Sequence, residues 1–361
     1  MAEPAESGPS FDADAIVAPE RLTDLLTRAG RLAQGARVVG ADREGEWTTI
    51  ISRLVRVRPR YAGDQTGGPS SLLLKSVRPD FAAAVAGAGR NEAVFYRDVA
   101  SFSPADALAA CFDVSTGSEN AACYVLLEDL SATHAVPTGW PLPPDIAACE
   151  RLIDAYAGFH AAWWDDPRLG ASVGRFAEES ALPALLADVQ RRWTAFRGLL
   201  GDHLSDERVS RYERLFEAAP RFFARFRARR NLTVVHGDAH VWNALYPHAP
   251  GATVRIIDWD SWRIGVAARD LAYMIALHWY PERRRRFERP LLRRYHDGLL
   301  AHGVAGYSWE ALLEDYRASA LWQLITPMWQ ATSKIPEPIW WSHLERGMLA
   351  FEDLDCASLL E

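Results

Sequence analysis

The spacing of apolar positions changes along the chain, and each change predicts a different kind of element. Pro19-Glu20-Arg21-Leu22-Thr23-Asp24 carries the proline and early acids of a helix start, which predicts a helix to about Gly30. Residues 1–19 before it, acidic and rich in Ala, Pro and Ser, read as a flexible N-terminal arm. From Ala36 to Arg58 β-branched and alternating residues take over. Arg37-Val38-Val39, Trp47-Thr48-Thr49-Ile50-Ile51 and Leu54-Val55-Arg56-Val57-Arg58 predict antiparallel strands joined by a loop at Gly40 to Glu46. Ser71 to Val77 reads as a third strand after a turn-rich Asp64 to Ser70. A helix containing Glu92 to Ala100 follows, with Gly87-Ala88-Gly89 as a flexible lead into it. Cys123 to Leu127 is a buried strand that ends at Glu128-Asp129.

Beyond residue 130 the period becomes helical. Helices are expected from Pro143 to about Trp164, over Leu182 to Leu200, over Glu207 to Arg230, and from Arg269 onward. Three short strands interrupt them, at Leu232 to Val235, Ala244 to Tyr246 and Thr253 to Ile257. The expected architecture is therefore α+β, with a β-rich part at 20–130, a hinge near Glu128 and a larger helical part at 131–361 that holds a short hairpin.

Composition narrows the function. The 361 residues are 49% hydrophobic, enough for large cores, and the net charge of −7 has the wrong sign for a protein that neutralises nucleic-acid phosphates, so no nucleic acid partner is expected. There is no run of 18 apolar residues and no basic region followed by an apolar stretch at the N-terminus, so neither a membrane nor secretion is expected. A cytoplasmic location follows as the expectation. Cys111, Cys123, Cys149 and Cys356 form no CxxC pair and read as reduced, mostly buried thiols. Only Lys75 and Lys334 are lysines among 40 basic residues, so each is an exception, kept either where a compact ammonium suits better than a guanidinium fork or as a chance survivor.

The chemistry concentrates in Val234-Val235-His236-Gly237-Asp238-Ala239-His240-Val241-Trp242-Asn243, then Ile256-Ile257-Asp258-Trp259-Asp260, then Arg269-Asp270-Leu271-Ala272. Asp238 and Asn243 fall on a loop between strands and Asp258 ends the next one. Two carboxylates and an amide at strand ends make a hard-oxygen set suited to Mg²⁺. His236 and His240, four apart, would be zinc ligands of a metal hydrolase only on a helix, which Gly237 and the preceding β-run oppose.

These motifs resemble the aminoglycoside phosphotransferase and choline kinase group of protein-kinase-like small-molecule kinases, closest to its ecdysteroid-kinase-like branch. The resemblance lies in the unbroken His-Gly-Asp-x-His-x-x-Asn loop, the Ile-Asp-Trp-acid strand end, the Asp-Leu-Ala triplet, and Lys75 with Glu92 in the first half. It implies a two-lobe fold with a small antiparallel β-sheet N-lobe and a mainly helical C-lobe. It also implies ATP and Mg²⁺ as cofactors: Asp238 as catalytic base, Asn243 and Asp258 as metal ligands, Lys75 as phosphate contact held by Glu92, and the backbone of Glu128 and Leu130 at the adenine edge. Asp270 would brace the loop, and His236 and His240 would shape it. The phosphate-covering loop departs from the pattern, since Gly40 to Trp47 holds only two glycines.

The activity so implied is transfer of a phosphoryl group to a hydroxyl of a small molecule. Two features of the C-terminal region bear on the acceptor: nine acids against three bases from Ala301 to Glu361, which suits a polycationic aminoglycoside, and eight of fourteen tryptophans from Trp259 onward, which suits a largely apolar alcohol. The latter is the expectation, with an aminoglycoside as the alternative. A catalytically inactive kinase-like binding protein is the alternative of another class. His160 is expected as a packed core histidine, and Arg283 to Arg286 with Arg293 and Arg294 as a solvated helix face.

Overall fold

The structure, a computed structural model, describes residues 12–62, 67–78, 82–118, 121–333 and 335–361. The chain divides into two compact units, one of residues 1–135 and 245–262, the other of 136–244 and 263–361. The expected boundary at 130/131 thus falls after Ala135, and the segment 245–262 groups with the first unit rather than the helical one. The physical reason is pairing: β6 (His134–Ala135), β8 (Ala244–Pro247) and β9 (Arg255–Ile256) form one small sheet.

In the first unit, α1 (Ala13–Ile16) and α2 (Pro19–Arg28) precede a five-stranded antiparallel sheet of β1 (Arg37–Thr48), β2 (Ser52–Ala62), β3 (Leu72–Val77), β4 (Cys111–Ser118) and β5 (Ala121–Glu128) in the order β1-β2-β3-β5-β4. Residues 1–11 of the expected arm lie outside the described residues. Residues 12–19 are a correction: α1 is capped by Asp12, and Ala13, Ile16 and Val17 pack with Leu22, Leu26, Val57, Leu72 and Leu74. Burying such side chains is worth roughly 1.5–3 kcal/mol for each large aliphatic one, which ties this segment to the sheet.

The loop expected at Gly40 to Glu46 is a second correction. Residues 37–48 are one strand, bulged between Val38 and Gly40 and between Arg43 and Gly45, so the two glycines mark bulges and not a loop. The chain reverses instead after Thr48, where Thr49 N–H donates to Ser52 C=O at 2.8 Å. The third correction is α3 (Ala82–Asp98), which runs through Gly87-Ala88-Gly89. A Cβ on Gly89 would stand 2.3 Å from Val77 Cγ2, so this glycine permits close packing of helix on strand.

In the second unit, α4 (Ile146–Ala162), α5 (Leu182–Leu200), α6 (Asp206–Ala224), α7 (Ala268–Ala272), α8 (Pro281–Ala301), α9 (Trp309–Trp322), α10 (Ile325–Thr332) and α11 (Glu337–Asp353) surround the strand pair β7 (Thr233–Val235) and β10 (Arg263–Gly265). Trp193, Phe196, Tyr212, Leu321, Leu324, Leu344 and Met348 form its main core. The Arg283–Arg294 face departs from expectation at Arg284, which is buried between Glu288 and Asp353 and so serves α8 packing rather than solvation. All four cysteines are free, with Cys149 and Cys356 buried and Cys111 and Cys123 half-buried. Among the described residues no helix is long and apolar enough to cross a membrane.

Candidate active site

Strand periodicity places the first charged group. Leu72 and Leu74 of β3 face the α1–α2 side, so Lys75 points to the opposite face, where α3 presents Glu92. Lys75 Nζ lies 2.7 Å from Glu92 Oε2 and 2.5 Å from Asp258 Oδ1, and both Lys75 and Glu92 are buried. Burial would lower the ammonium's pKa. The Asp258 and Glu92 carboxylates overcome that and hold it above the ordinary lysine value, so Lys75 is a cation at any physiological pH. Burial raises the Glu92 carboxyl's pKa, the Lys75 ammonium opposes that, and their contact has the geometry of an ion pair.

Asp258 sits just beyond β9 in the left-handed region, φ 69° and ψ 59°, which turns its carboxylate towards Lys75. The segment after it is clamped to α3. Asn91 Nδ2 donates to the carbonyls of Asp260 and Trp262, Trp262 Nε1 donates back to the Asn91 carbonyl at 2.7 Å, and Trp259 stacks on Phe95 at 4.0 Å. Asn91 is a positioning residue that sequence reading passed over, although it stands directly before Glu92. At the end of β5, Glu128 N–H donates to Ala110 C=O and its carboxylate takes Arg31, so that N–H is already committed. The Leu130 carbonyl accepts from Thr133 and His134, whereas the Leu130 N–H has no acceptor among the described residues.

The second unit carries the Asp238 loop and Asp270. Gly237, with φ 85°, lets the chain turn sharply out of β7 so that successive N–H groups point one way. His236 N–H and Gly237 N–H donate to the two oxygens of Asp270 at 2.6 and 3.0 Å, and His160 Nε2 lies 3.2 Å from Asp270 Oδ2. His160 is fully buried and its Nδ1 meets Tyr295 Oη at 2.8 Å, as expected of a packed core histidine. Burial would raise the Asp270 carboxyl's pKa. The His160 hydrogen bond, the neighbouring imidazoles and the Gly237 N–H outweigh it and hold it below the ordinary value.

Next in the loop, Asp238 N–H donates to His236 Nδ1, and Asn243 N–H donates to His240 Nδ1. Asn243 Nδ2 donates to Asp238 Oδ2 at 3.0 Å and to the Asp238 carbonyl at 3.0 Å. This fixes the Asp238 carboxylate plane. It leaves Asp238 Oδ1 and Asn243 Oδ1 without hydrogen bonds among the described residues. Neither histidine is on a helix, and among the described residues no three His, Cys, Asp or Glu side chains converge as a metal cage. The oxygens of Asn243 and Asp258 have the hard chemistry of Mg²⁺, which takes one or two protein ligands and completes its shell with water and phosphate. Asp258 and its Lys75–Glu92 partners stand in the first unit, Asp238, Asn243 and Asp270 in the second.

A β-sheet unit with a lysine–glutamate pair, followed by a helical unit with an Asp–Asn loop, defines the class as protein-kinase-like. Residues 59–313 match the phosphotransferase enzyme family, APH, and the chain belongs to it. A provisionally named aminoglycoside phosphotransferase from Ralstonia eutropha JMP134 superposes with a TM-score of 0.54 at 14% identity, covering 97% of this chain and 99% of that one. Choline kinase LicA from Streptococcus pneumoniae gives 0.48 at 12%, over 93% and 98%, and APH(2″)-IIa, solved with streptomycin and ATP, gives 0.48 at 13%, over 96% of each. No curated protein sequence matches the chain significantly. The first of these likenesses fixes the fold, and the family is one of phosphotransferase enzymes.

Proposed function

We propose that this protein is an ATP- and Mg²⁺-dependent kinase that moves the γ-phosphoryl group of ATP to a hydroxyl of a neutral, largely apolar small molecule. The observation that carries the reading is Lys75, a buried cation held end-on by Glu92 and Asp258, in a chain that also presents Asp238 with its Oδ1 unoccupied. Lys75 would steady the ATP phosphates and Glu92 would fix the ammonium. Asp258 and Asn243 would hold the metal, whose charge neutralises phosphate oxygens. The Leu130 N–H would meet the adenine edge along with the backbone of Glu128. Asp238 would orient the acceptor hydroxyl and take its proton at Oδ1 while Asn243 holds Oδ2. His236, His240 and Asp270 keep that loop in shape.

The acidic balance of the C-terminal region lends little to the aminoglycoside alternative. Asp315, Glu345, Glu352, Asp353 and Asp355 each pair with an arginine, so five of the nine acids already have cations. The tryptophans lend less than their number suggests too, since Trp259, Trp262, Trp279 and Trp340 are buried in packing. The inactive-protein alternative conflicts with an intact set of Lys75, Glu92, Asp238, Asn243 and Asp258. The neutral-alcohol reading agrees with the resemblance to the ecdysteroid-kinase-like branch, and four free thiols suit a cytoplasmic setting. The test is ADP release from Mg·ATP with a panel of hydroxylated small molecules: acceptor-stimulated, metal-dependent release is expected, and ATP binding with no stimulation by any acceptor, polycations included, would favour the inactive protein.

A further inference from the structure

Behind His240 the second unit carries a stack of aromatic and imidazole rings that the proposed mechanism does not use. His240 and His278 have ring centroids 5.3 Å apart, His278 and His343 4.4 Å apart, and Trp242 lies 5.6 Å from His240 and 5.8 Å from His278. Tyr273 closes the group at 4.9 Å from His278. It opens a π-helical turn, Tyr273–Leu277, a rare distortion of regular helix that is frequent at functional sites. The group begins at the proposed base, for His240 Nε2 is 3.6 Å from Asp238 Oδ2.

Two polar atoms in this stack are shut away from solvent without a hydrogen-bond partner among the described residues, Trp242 Nε1 and His343 Nε2. His343 is 1% exposed, and its other nitrogen, Nδ1, is committed to Gln330 Oε1 at 2.8 Å. His278 Nδ1 donates to the Tyr273 carbonyl at 2.8 Å, and Arg346 donates to the His278 carbonyl at 2.6 Å. A buried donor or acceptor without a partner is costly, and Trp242 Nε1 and His343 Nε2 are such atoms within the ring stack that begins at Asp238.

The charge of the stack says what the use is. Burial holds His278 and His343 neutral, His343 with its pKa down at about 3, and the charged groups acting on His343 are Arg346 and Asp238. Of the groups that act on His343 only Asp238 is a carboxylate, and Arg346 acts against it, which does not suit a polycation. Half-buried rings of Trp242, Tyr273 and His240 offer flat faces to a ring system. Resting on the kinase reading above, we infer that these residues form the acceptor subsite for an uncharged, ring-bearing alcohol with a second oxygen. Its ring lies against Trp242 and Tyr273, and Trp242 Nε1–H and His343 Nε2 hydrogen-bond its second polar group. Trp242 and His343 are thus specificity-determining residues, distinct from the base.

The experiment measures ADP release by the full chain with estradiol, a macrolide aglycone and kanamycin as acceptors, for the parent, Trp242→Phe and His343→Phe. The second oxygen of estradiol is a hydroxyl, which can both accept from Trp242 Nε1–H and donate to His343 Nε2. Trp242→Phe keeps an aromatic face and removes the indole N–H together with the five-membered ring that carries it. The expected result is stimulation by a neutral ring alcohol, with its KM raised tenfold or more in each variant while kcat and the KM for ATP stay within twofold. Should Trp242→Phe not fold, His343→Phe carries the same test. Stimulation by kanamycin alone would overturn the inference and leave the kinase standing. A neutral acceptor with unchanged KM in both variants, or silence of every neutral probe with ATP binding intact, would also overturn it. Absence of Mg·ATP binding would instead remove the kinase reading.

Discussion

Replacing Asp270 by asparagine isolates the device that holds the Asp238 loop. The carboxylate accepts two backbone N–H groups and faces the His160 ring, with no solvent exposure. Asparagine keeps the shape but offers one oxygen and an NH₂, so at least one buried donor is left facing another donor. An unsatisfied buried donor costs about 1–3 kcal/mol and a lost charge-assisted bond about 1.5–3, so the expected loss is about 3–5 kcal/mol. In a unit of about 200 residues, 1 kcal/mol moves Tm by about 2–4 °C, so a drop of roughly 10 °C should appear in a thermal melt at pH 7. Turnover should fall about 100-fold or more, because release of the Gly237 N–H lets Asp238 drift from the reacting oxygen. The pH dependence has a definite sign. The Asp270 carboxyl is held below its ordinary value in the folded protein, so its stabilisation is present above the unfolded pKa of about 3.9 and is lost as pH falls through the folded value. The gap between parent and variant should therefore be constant from pH 5 to 8 and close below about pH 4. A variant that melts within 2 °C of the parent at pH 7 and turns over normally would refute the reasoning.

Asp238→Asn should abolish phosphoryl transfer and spare ATP binding, since Asn243 already fixes the other oxygen; turnover near the parent rate with a verified acceptor would remove Asp238 from the base role. Asp258→Ala should destroy the metal dependence of ATP binding, read by titrating Mg²⁺ against nucleotide affinity, and an unchanged titration would count against its assignment. Lys75→Arg should lower kcat/KM about 10-fold or more, equivalent to about 1.4 kcal/mol, because the longer fork displaces contacts of 2.7 and 2.5 Å; parental kinetics would make Lys75 dispensable as a lysine. Burial keeps His278 and His343 uncharged in the folded protein while both titrate near pH 6.5 when unfolded. Stability measured by denaturant midpoint should therefore fall as pH drops below about 6.5, less steeply in His343→Gln. Equal slopes between pH 6.5 and 5 in parent and variant would contradict neutral burial.

What could be read from the sequence follows the range of the interactions. Leu72 and Leu74 alternate with Lys75 within one strand, and Asp238 and Asn243 lie five residues apart, so local pattern was enough to find them. Gly40, Gly45, Gly87 and Gly89 misled the reading because the same residue type marks a loop, a bulge or a close helix–strand contact, and only the partner strand decides which. The reversal after Thr48 lacks Gly, Asn and Asp altogether. Asn91 with Asp260 and Trp262, or His160 with Asp270 and Tyr295, are joined across 110–171 residues and leave no periodic trace. Charge counting failed for the same reason: the C-terminal excess of acids is real, but the arginines that meet Glu345, Glu352 and Asp315 come from α6 and just beyond it.

Those pairs also explain what is distinctive about Lys75. The chain uses arginine where one carboxylate can be gripped by two parallel bonds, as in Arg208 with Glu345, Arg294 with Asp154 and Arg53 with Glu46. Lys75 has a different task, since its two anions come from different elements, α3 and the turn after β9, and meet it at one nitrogen. A guanidinium presents its donors in one plane with fixed spacing, whereas an ammonium spreads three donors about a point and can bond both carboxylates and still direct a third. Lys334 lies outside the described residues, so this argument concerns Lys75 alone. A composition so weighted to arginine favours the residue type suited to two-centre pairs, and it keeps lysine at a position where Glu92 and Asp258 meet at a single centre of charge, which on the proposed kinase reading would also serve an incoming phosphate.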